Sequence, residues 1–283
     1  MSDNTILNRI FTKNSVFNLI NRNDNILFCN IIKRYLNDVE SKYNRTLISE
    51  VYDVMTSSYR NEYFYKNTLL NKLLLGRHSL STTTALTEIP INKSKADFVL
   101  INGRAIVYEI KTGLDTFERL NSQLNDYYKA FNNICVVTCE SNYQRLDNVL
   151  KDTNVGICIL TDNNTLSTRK KPVEDNSKLD YEAIFKILRK KEFENILFSH
   201  YSELPSTTQV NYYSACFERF KGISINLAYK FMLHELKKRN KIEIEEYKKY
   251  VPYELKYLVY FSQFKKSDYL KLNSFLDHKF SGG

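Results

Sequence analysis

The chain has 283 residues, 43% of them hydrophobic, which is enough for one large domain or a core with a helical appendage. Only 7 Gly and 4 Pro exclude long flexible linkers, and a formal charge of +9 points to an anionic partner, nucleic acid or a membrane surface. No apolar run approaches the roughly 20 residues that span a bilayer, and the first residues, MSDNTILNRI, lack the basic-then-apolar plan of a secretory signal. Five scattered cysteines (Cys29, Cys135, Cys139, Cys158, Cys216) read as thiols in a reducing compartment, so a cytoplasmic location with no membrane partner is expected.

In chain order, residues 1–57 read as an N-terminal helical segment. Asp24 is placed to cap a helix whose apolar stripe is Ile26, Leu27, Ile31, Tyr35, Leu36 and Val39. Residues 59–75 give a second helix, stopped by Gly76. The pattern then changes to strands at 84–91, 96–101 and 104–111, a helix from about Thr116 to Phe131, the strand ICVVTC, a helix around 141–151, the strand VGICIL and a short closing strand near 165–170. Hairpins followed by alternating helices and strands predict an α/β core with a mixed sheet over residues 58–172. After the polar stretch VEDNSK, residues 178–283 read as a C-terminal helical domain. Its helices are DYEAIFKILRKKEF, TTQVNYYSACFERF, INLAYKFMLHELKKR and one beginning at Pro252.

The stretch KSKADFVLINGRAIVYEIKTG carries the chemistry. Glu109 and Lys111 are two apart on one strand and share a face, with Ile110 turned away. A two-residue Asn102-Gly103 loop would put Asp97 on the opposite face. A three-residue Ile101-Asn102-Gly103 loop pairs Asp97 with Val107 and brings Asp97, Glu109 and Lys111 together, while Phe98, Leu100, Ile106, Tyr108 and Ile110 form an apolar layer behind them. The three-residue loop is therefore predicted. Two neighbouring carboxylates favour a hard cation, Mg²⁺ or Mn²⁺, with the Ile110 backbone carbonyl as a further oxygen and Lys111 to orient water or offset transition-state charge.

In these residues the chain resembles the PD-(D/E)xK nuclease superfamily: Asp97 on one strand, then Glu109-Ile110-Lys111 on the next, with Ala96 where a Pro is customary. The resemblance covers about residues 59–165 and implies a restriction-endonuclease-like core, with the Holliday-junction-resolvase branch as one model. It also implies a supporting acid, Glu62, on the preceding helix, with a share in the metal, and a supporting Gln123 on the following one. Gln123 and Tyr127 are i, i+4 neighbours and reach the site from one helical face.

The expected activity is Mg²⁺-dependent hydrolysis of DNA phosphodiesters in repair, mobile-element or anti-phage settings, with RNA as the other polymer of like charge and a homodimer left open. The competing expectation is a regulatory or nucleic-acid-binding protein on a nuclease scaffold that no longer cuts. Lys95, Tyr127, Lys129, Lys237, Lys238 and Arg239 are the candidate nucleic-acid contacts, Tyr127 by stacking on a base. Glu88 reads as a solvated edge-strand acid, with a place near the metal as the alternative, and the four histidines show no ligand spacing.

Overall fold

The computed structural model describes residues 3–21, 25–58, 60–239 and 241–281. It divides into two units, one made of Met1–Ser81 with Lys241–Gly283 and the other of Thr82–Asn240. No helix among the described residues is long and apolar enough to cross a membrane.

The first unit begins with helices α1 (Asp3–Ile10), α2 (Lys13–Asn21), α3 (Ile26–Tyr35), α4 (Asn44–Ser58) and α5 (Glu62–Leu69). The expected cap Asp24 lies outside the described residues. Helix α3 ends at Tyr35, so Leu36 and Val39 of the expected stripe lie beyond it. Asn61 caps α5 by accepting the Phe64 N–H at 2.8 Å. The chain then widens into a π-helical turn, Leu70–Leu75, and stops at Gly76, where a side chain would bring Cβ to 2.8 Å from the Lys72 carbonyl oxygen.

The second unit is built on a six-stranded sheet, β1 (Thr84–Ile91), β2 (Ser94–Asn102), β3 (Arg104–Ile110), β4 (Ile134–Thr138), β5 (Gly156–Leu160) and β6 (Leu166–Lys170), in that spatial order. Strands β1–β3 are antiparallel, β3–β5 parallel and β6 antiparallel again. Helix α6 (Leu120–Tyr128) makes the crossover from β3 to β4, and α7 (Tyr143–Leu150) that from β4 to β5. This is the expected mixed α/β architecture. Helix α6 is shorter than the expected 116–131, because the Asp115 carboxylate takes the Thr112 N–H at 2.7 Å and holds the entering chain as a turn.

Four helices complete this unit: α8 (Tyr181–Ile187), α9 (Lys190–Tyr201), α10 (Tyr212–Lys221) and α11 (Ile225–Lys237). The single helix expected over 180–193 is two. Asp180 caps α8 through the Ala183 N–H at 2.8 Å, and the chain is extended at Leu188 and Arg189 before the Glu192 carboxylate receives the Arg189 N–H and starts α9. Ala183, Phe185, Phe193, Phe220 and Met232 share one core with Val99, Val107, Ile134, Val136, Ile157 and the α6 residues Leu120 and Leu124. Residues 178–239 thus belong with the sheet rather than with a separate C-terminal domain. VEDNSK is no linker: Asn132 binds Glu174 and Asn176, and its carbonyl accepts the Asp175 N–H at 2.9 Å.

The chain returns to the first unit as α12 (Ile244–Tyr250), a 3₁₀ turn Tyr253–Leu255, α13 (Lys256–Tyr260) and α14 (Lys266–Asp277). There α14 packs on α2, α4 and α12, and Asn44 donates to the Phe275 carbonyl at 2.9 Å. Phe11 stacks on Tyr63 with ring centroids 5.0 Å apart, beside Tyr52.

Candidate active site

The hairpin turns about Gly103, whose φ of 71° is open to glycine at little cost. Ile101 pairs with Ala105 and Asn102 with Arg104, so Val107 faces Val99 instead of the expected Asp97. The shift is two residues. Because side chains alternate with period two, the face of every residue is preserved. One step beyond the last pair, Phe98 with Tyr108, the same register sets Asp97 across from Glu109. Here the ladder opens, and Asp97 Oδ2 accepts the Ile110 N–H at 2.8 Å.

Both faces of β2 and β3 are buried, and the face bearing Glu109 is the one covered by α6 and the later helices. That explains a carboxylate only 1% exposed. Burying a charge is tolerated where it is paired and bonded. Glu109 Oε1 lies 3.0 Å from Lys111 Nζ, and Oε2 accepts from the Tyr127 hydroxyl at 2.6 Å. Lys111 Nζ donates in turn to Gln123 Oε1 at 2.9 Å. Helix α6 therefore delivers Gln123 and Tyr127 to the same pair of groups. It is fixed in place by Ser94 donating to Asp126 at 2.7 Å and by the Tyr127 hydroxyl, whose single proton is shared between Glu109 Oε2 and the Lys95 carbonyl, both at 2.6 Å. Burial, together with the charges of Glu109 and Asp97, pushes the Tyr127 phenol far above its ordinary value, so it stays a donor.

Glu88 is closer to this centre than its edge-strand pattern implies. The Asn92-Lys93 turn pairs Ile91 with Ser94, and Thr87 and Ile89 then bracket Glu88 opposite Asp97. Glu88 has a φ of 54°, and its carboxylate lies within 4.8 Å of that of Asp97. The register of this turn was the signal that locates it. Lys95, largely exposed, is 3.6 Å from Glu88. Glu88 and Asp97 thus bring carboxylate oxygens together of the kind a hard divalent cation takes, while the two oxygens of Glu109 are engaged by Lys111 and Tyr127.

Glu62 opens α5 in the other unit, where its carboxylate is 2.5 Å from Lys66 Nζ. Tyr127 is wholly buried, so its ring has no face to offer a base; the expectation of stacking is corrected. Arg239 is also not at the surface. It donates to Glu192 through Nε at 2.7 Å and through a terminal nitrogen at 2.6 Å, and to the Ile187 carbonyl at 2.6 Å, tying the end of α11 to the α8–α9 junction. Lys238 is half-exposed and paired with Glu235, Lys237 is partly buried, and Lys129 is exposed at the end of α6.

Neither a curated protein nor a solved structure matches the chain. A family model described as bacteriophage P4 protein cII matches residues 55–258, a segment that contains the whole sheet and the centre described above. That match extends over more than half of the sequence, and the chain belongs to this family.

Proposed function

We propose that the protein is a metal-dependent nuclease that hydrolyses DNA phosphodiester bonds at the centre formed by Asp97, Glu109 and Lys111. The observation that carries this reading is a lysine bonded to both a buried glutamate and Gln123 on the strand beside Asp97. A solvated cross-strand salt bridge would need no such burial and no second tier of partners. Asp97 and Glu109 would hold the cation, with the Ile110 carbonyl and Glu88 as neighbouring oxygens. When bound, Mg²⁺ or Mn²⁺ supplies Lewis-acid polarisation of the phosphoryl group and a lowered pKa for water. Lys111 offsets negative charge as it grows on the phosphoryl oxygens, Gln123 sets the ammonium's direction, and Tyr127 keeps Glu109 turned toward the centre. Lys95 and Lys129, both exposed, would meet phosphates of the bound strand. A family named for a bacteriophage protein favours a mobile-element setting over repair.

The test is a Mn²⁺ titration of wild type and Asp97→Ala, paired with cleavage of linear, supercoiled, branched and single-stranded DNA. Tighter metal binding by wild type, with cutting abolished by chelation, is expected. Equal metal binding by both proteins, with DNA bound and uncut, would move the reading to a regulatory protein on a nuclease scaffold.

A further inference from the structure

In the first unit, the end of α2, the start of α3 and the end of α14 surround a cavity of about 690 Å³, within the size of small-molecule sites. Phe28, Phe275 and Phe280 give it an aromatic wall, Phe28 standing edge-on to the other two with centroids 5.3 and 6.0 Å apart. Lys33, Lys271 and Lys279 also line it, and no acid stands among its described lining residues. Lys271 donates to Asn21 Oδ1 at 2.7 Å and Lys279 lies over the Tyr43 ring, so neither ammonium is neutralised by a carboxylate among the described residues. The start of α3 adds to this field. Asn25 holds the cap position without a capping hydrogen bond, and Asn25, Ile26, Phe28 and Cys29 all line the cavity. Asn44, only 6% exposed, stands in the same wall. Its amide nitrogen donates to the Phe275 carbonyl at 2.9 Å, which fixes the amide's orientation and leaves Oδ1 shielded from water with no donor. Asn25 Oδ1 is unpartnered in the same way. Acceptors so placed call for an N–H or O–H brought by a bound group.

We propose that this cavity binds a free nucleoside monophosphate whose base carries an amino group. The phosphate meets Lys271, Lys279 and the start of α3, the base lies against the phenylalanine rings, and the amino group donates to the asparagine oxygens. Three demands select this ligand: an anion for the lysines, a flat apolar body for the rings and a donor for the amide oxygens. Inorganic phosphate meets the first alone. An acyl-chain carboxylate brings charge and apolar surface but no donor. The site belongs to the first unit and stands independently of the nuclease reading.

The experiment is titration calorimetry on the full chain in EDTA with AMP, CMP, UMP, inorganic phosphate, dodecanoate and a 5′-phosphorylated hexanucleotide. Wild type is compared with Lys271→Glu and Lys279→Glu, both at exposed positions, after thermal melts verify folding. Lys271→Gln and Lys279→Gln repeat the comparison should a reversed charge unfold the chain. AMP and CMP are expected to bind wild type, and each charge reversal to weaken them at least about tenfold. UMP, which lacks the amino group, should bind about tenfold more weakly than CMP. Equal binding of UMP and CMP, phosphate as tight as AMP, or lysine variants with unchanged affinity would overturn the site. So would tighter binding of dodecanoate or of the hexanucleotide than of AMP, or no nucleotide binding by wild type.

Discussion

The Asp97 carboxylate accepts the backbone N–H of Ile110 at 2.8 Å, where the β2–β3 ladder gives way. A side chain thereby takes the place of a ladder carbonyl, and the acid of one strand is locked beside the Glu-Ile-Lys of the next. Substrate is not needed to assemble these groups, because the fold itself brings them together.

Tyr127 holds Glu109 from the side opposite Lys111. Tyr127→Phe keeps the ring in its buried place and removes the hydrogen bond to a charged acceptor. A loss of about 2 kcal/mol in urea unfolding is expected. An unchanged midpoint would show that the hydroxyl does not support the carboxylate.

Arg239 and Glu192 form a nearly buried pair at the α8–α9 junction. Burial alone would raise the Glu192 carboxyl, but the hydrogen bonds from Arg239 and the Arg189 N–H outweigh it and hold the group below its ordinary value. Arg239→Met strands the carboxylate and should cost about 3 kcal/mol. Because the folded pKa is depressed, the pair's contribution is present above the unfolded value and lost as pH falls through the folded one. The stability gap between wild type and Glu192→Gln should therefore close in acid below about pH 4. A gap that does not change between pH 7 and 3 would contradict the pairing.

Lys256 in the first unit is half-buried, with its ammonium 3.1 Å from the Tyr247 carbonyl oxygen, and burial lowers its pKa from the ordinary 10.5 to about 8. Below pH 8 both folded and unfolded chains carry the proton, and the cost of burying charge is present in full. Between about 8 and 10.5 the unfolded chain binds more protons, so stability rises with pH. Wild type should gain on Lys256→Met across that window in thermal melts, and parallel curves would refute the burial argument.

At Gly103 an added Cβ meets no atom within 4 Å, so substitution tests backbone conformation alone. Gly103→Ala should destabilise by about 1 kcal/mol and Gly103→Asn by less, since asparagine tolerates positive φ better. Equal costs would mean that the turn relaxes.

Much of the sheet was legible because its strands carry a period-two pattern and its turns carry glycine or asparagine. The bounds of β1 and the sharing of a face by Asp97, Glu109 and Lys111 follow from those features. The register of the β2–β3 hairpin did not, because a slip of two residues leaves every face unchanged and the hydrophobic pattern cannot tell the two apart. Gln123 and Tyr127 were legible as helical neighbours, but the burial of Tyr127 comes from the seating of α6 on the sheet, with its hydroxyl on Glu109 and the Lys95 carbonyl, a long-range fact. Arg239 misled for a similar reason: a basic residue at a helix end looks solvated until Glu192, distant in sequence, is placed beside it. The helix break at Leu188-Arg189 also depends on Glu192, whose carboxylate competes locally for the Arg189 N–H.

The central claim is that Asp97, Glu109 and Lys111 together cut DNA. It is tested most directly by following cleavage of labelled DNA in Mg²⁺ or Mn²⁺ by wild type, Asp97→Ala and Lys111→Ala in parallel, with circular dichroism to verify that each is folded. Metal-dependent cutting by wild type that falls at least about a hundredfold in both variants is the predicted result. Cutting that survives both substitutions, or folded wild-type protein that binds DNA and metal and leaves every substrate intact, would contradict it.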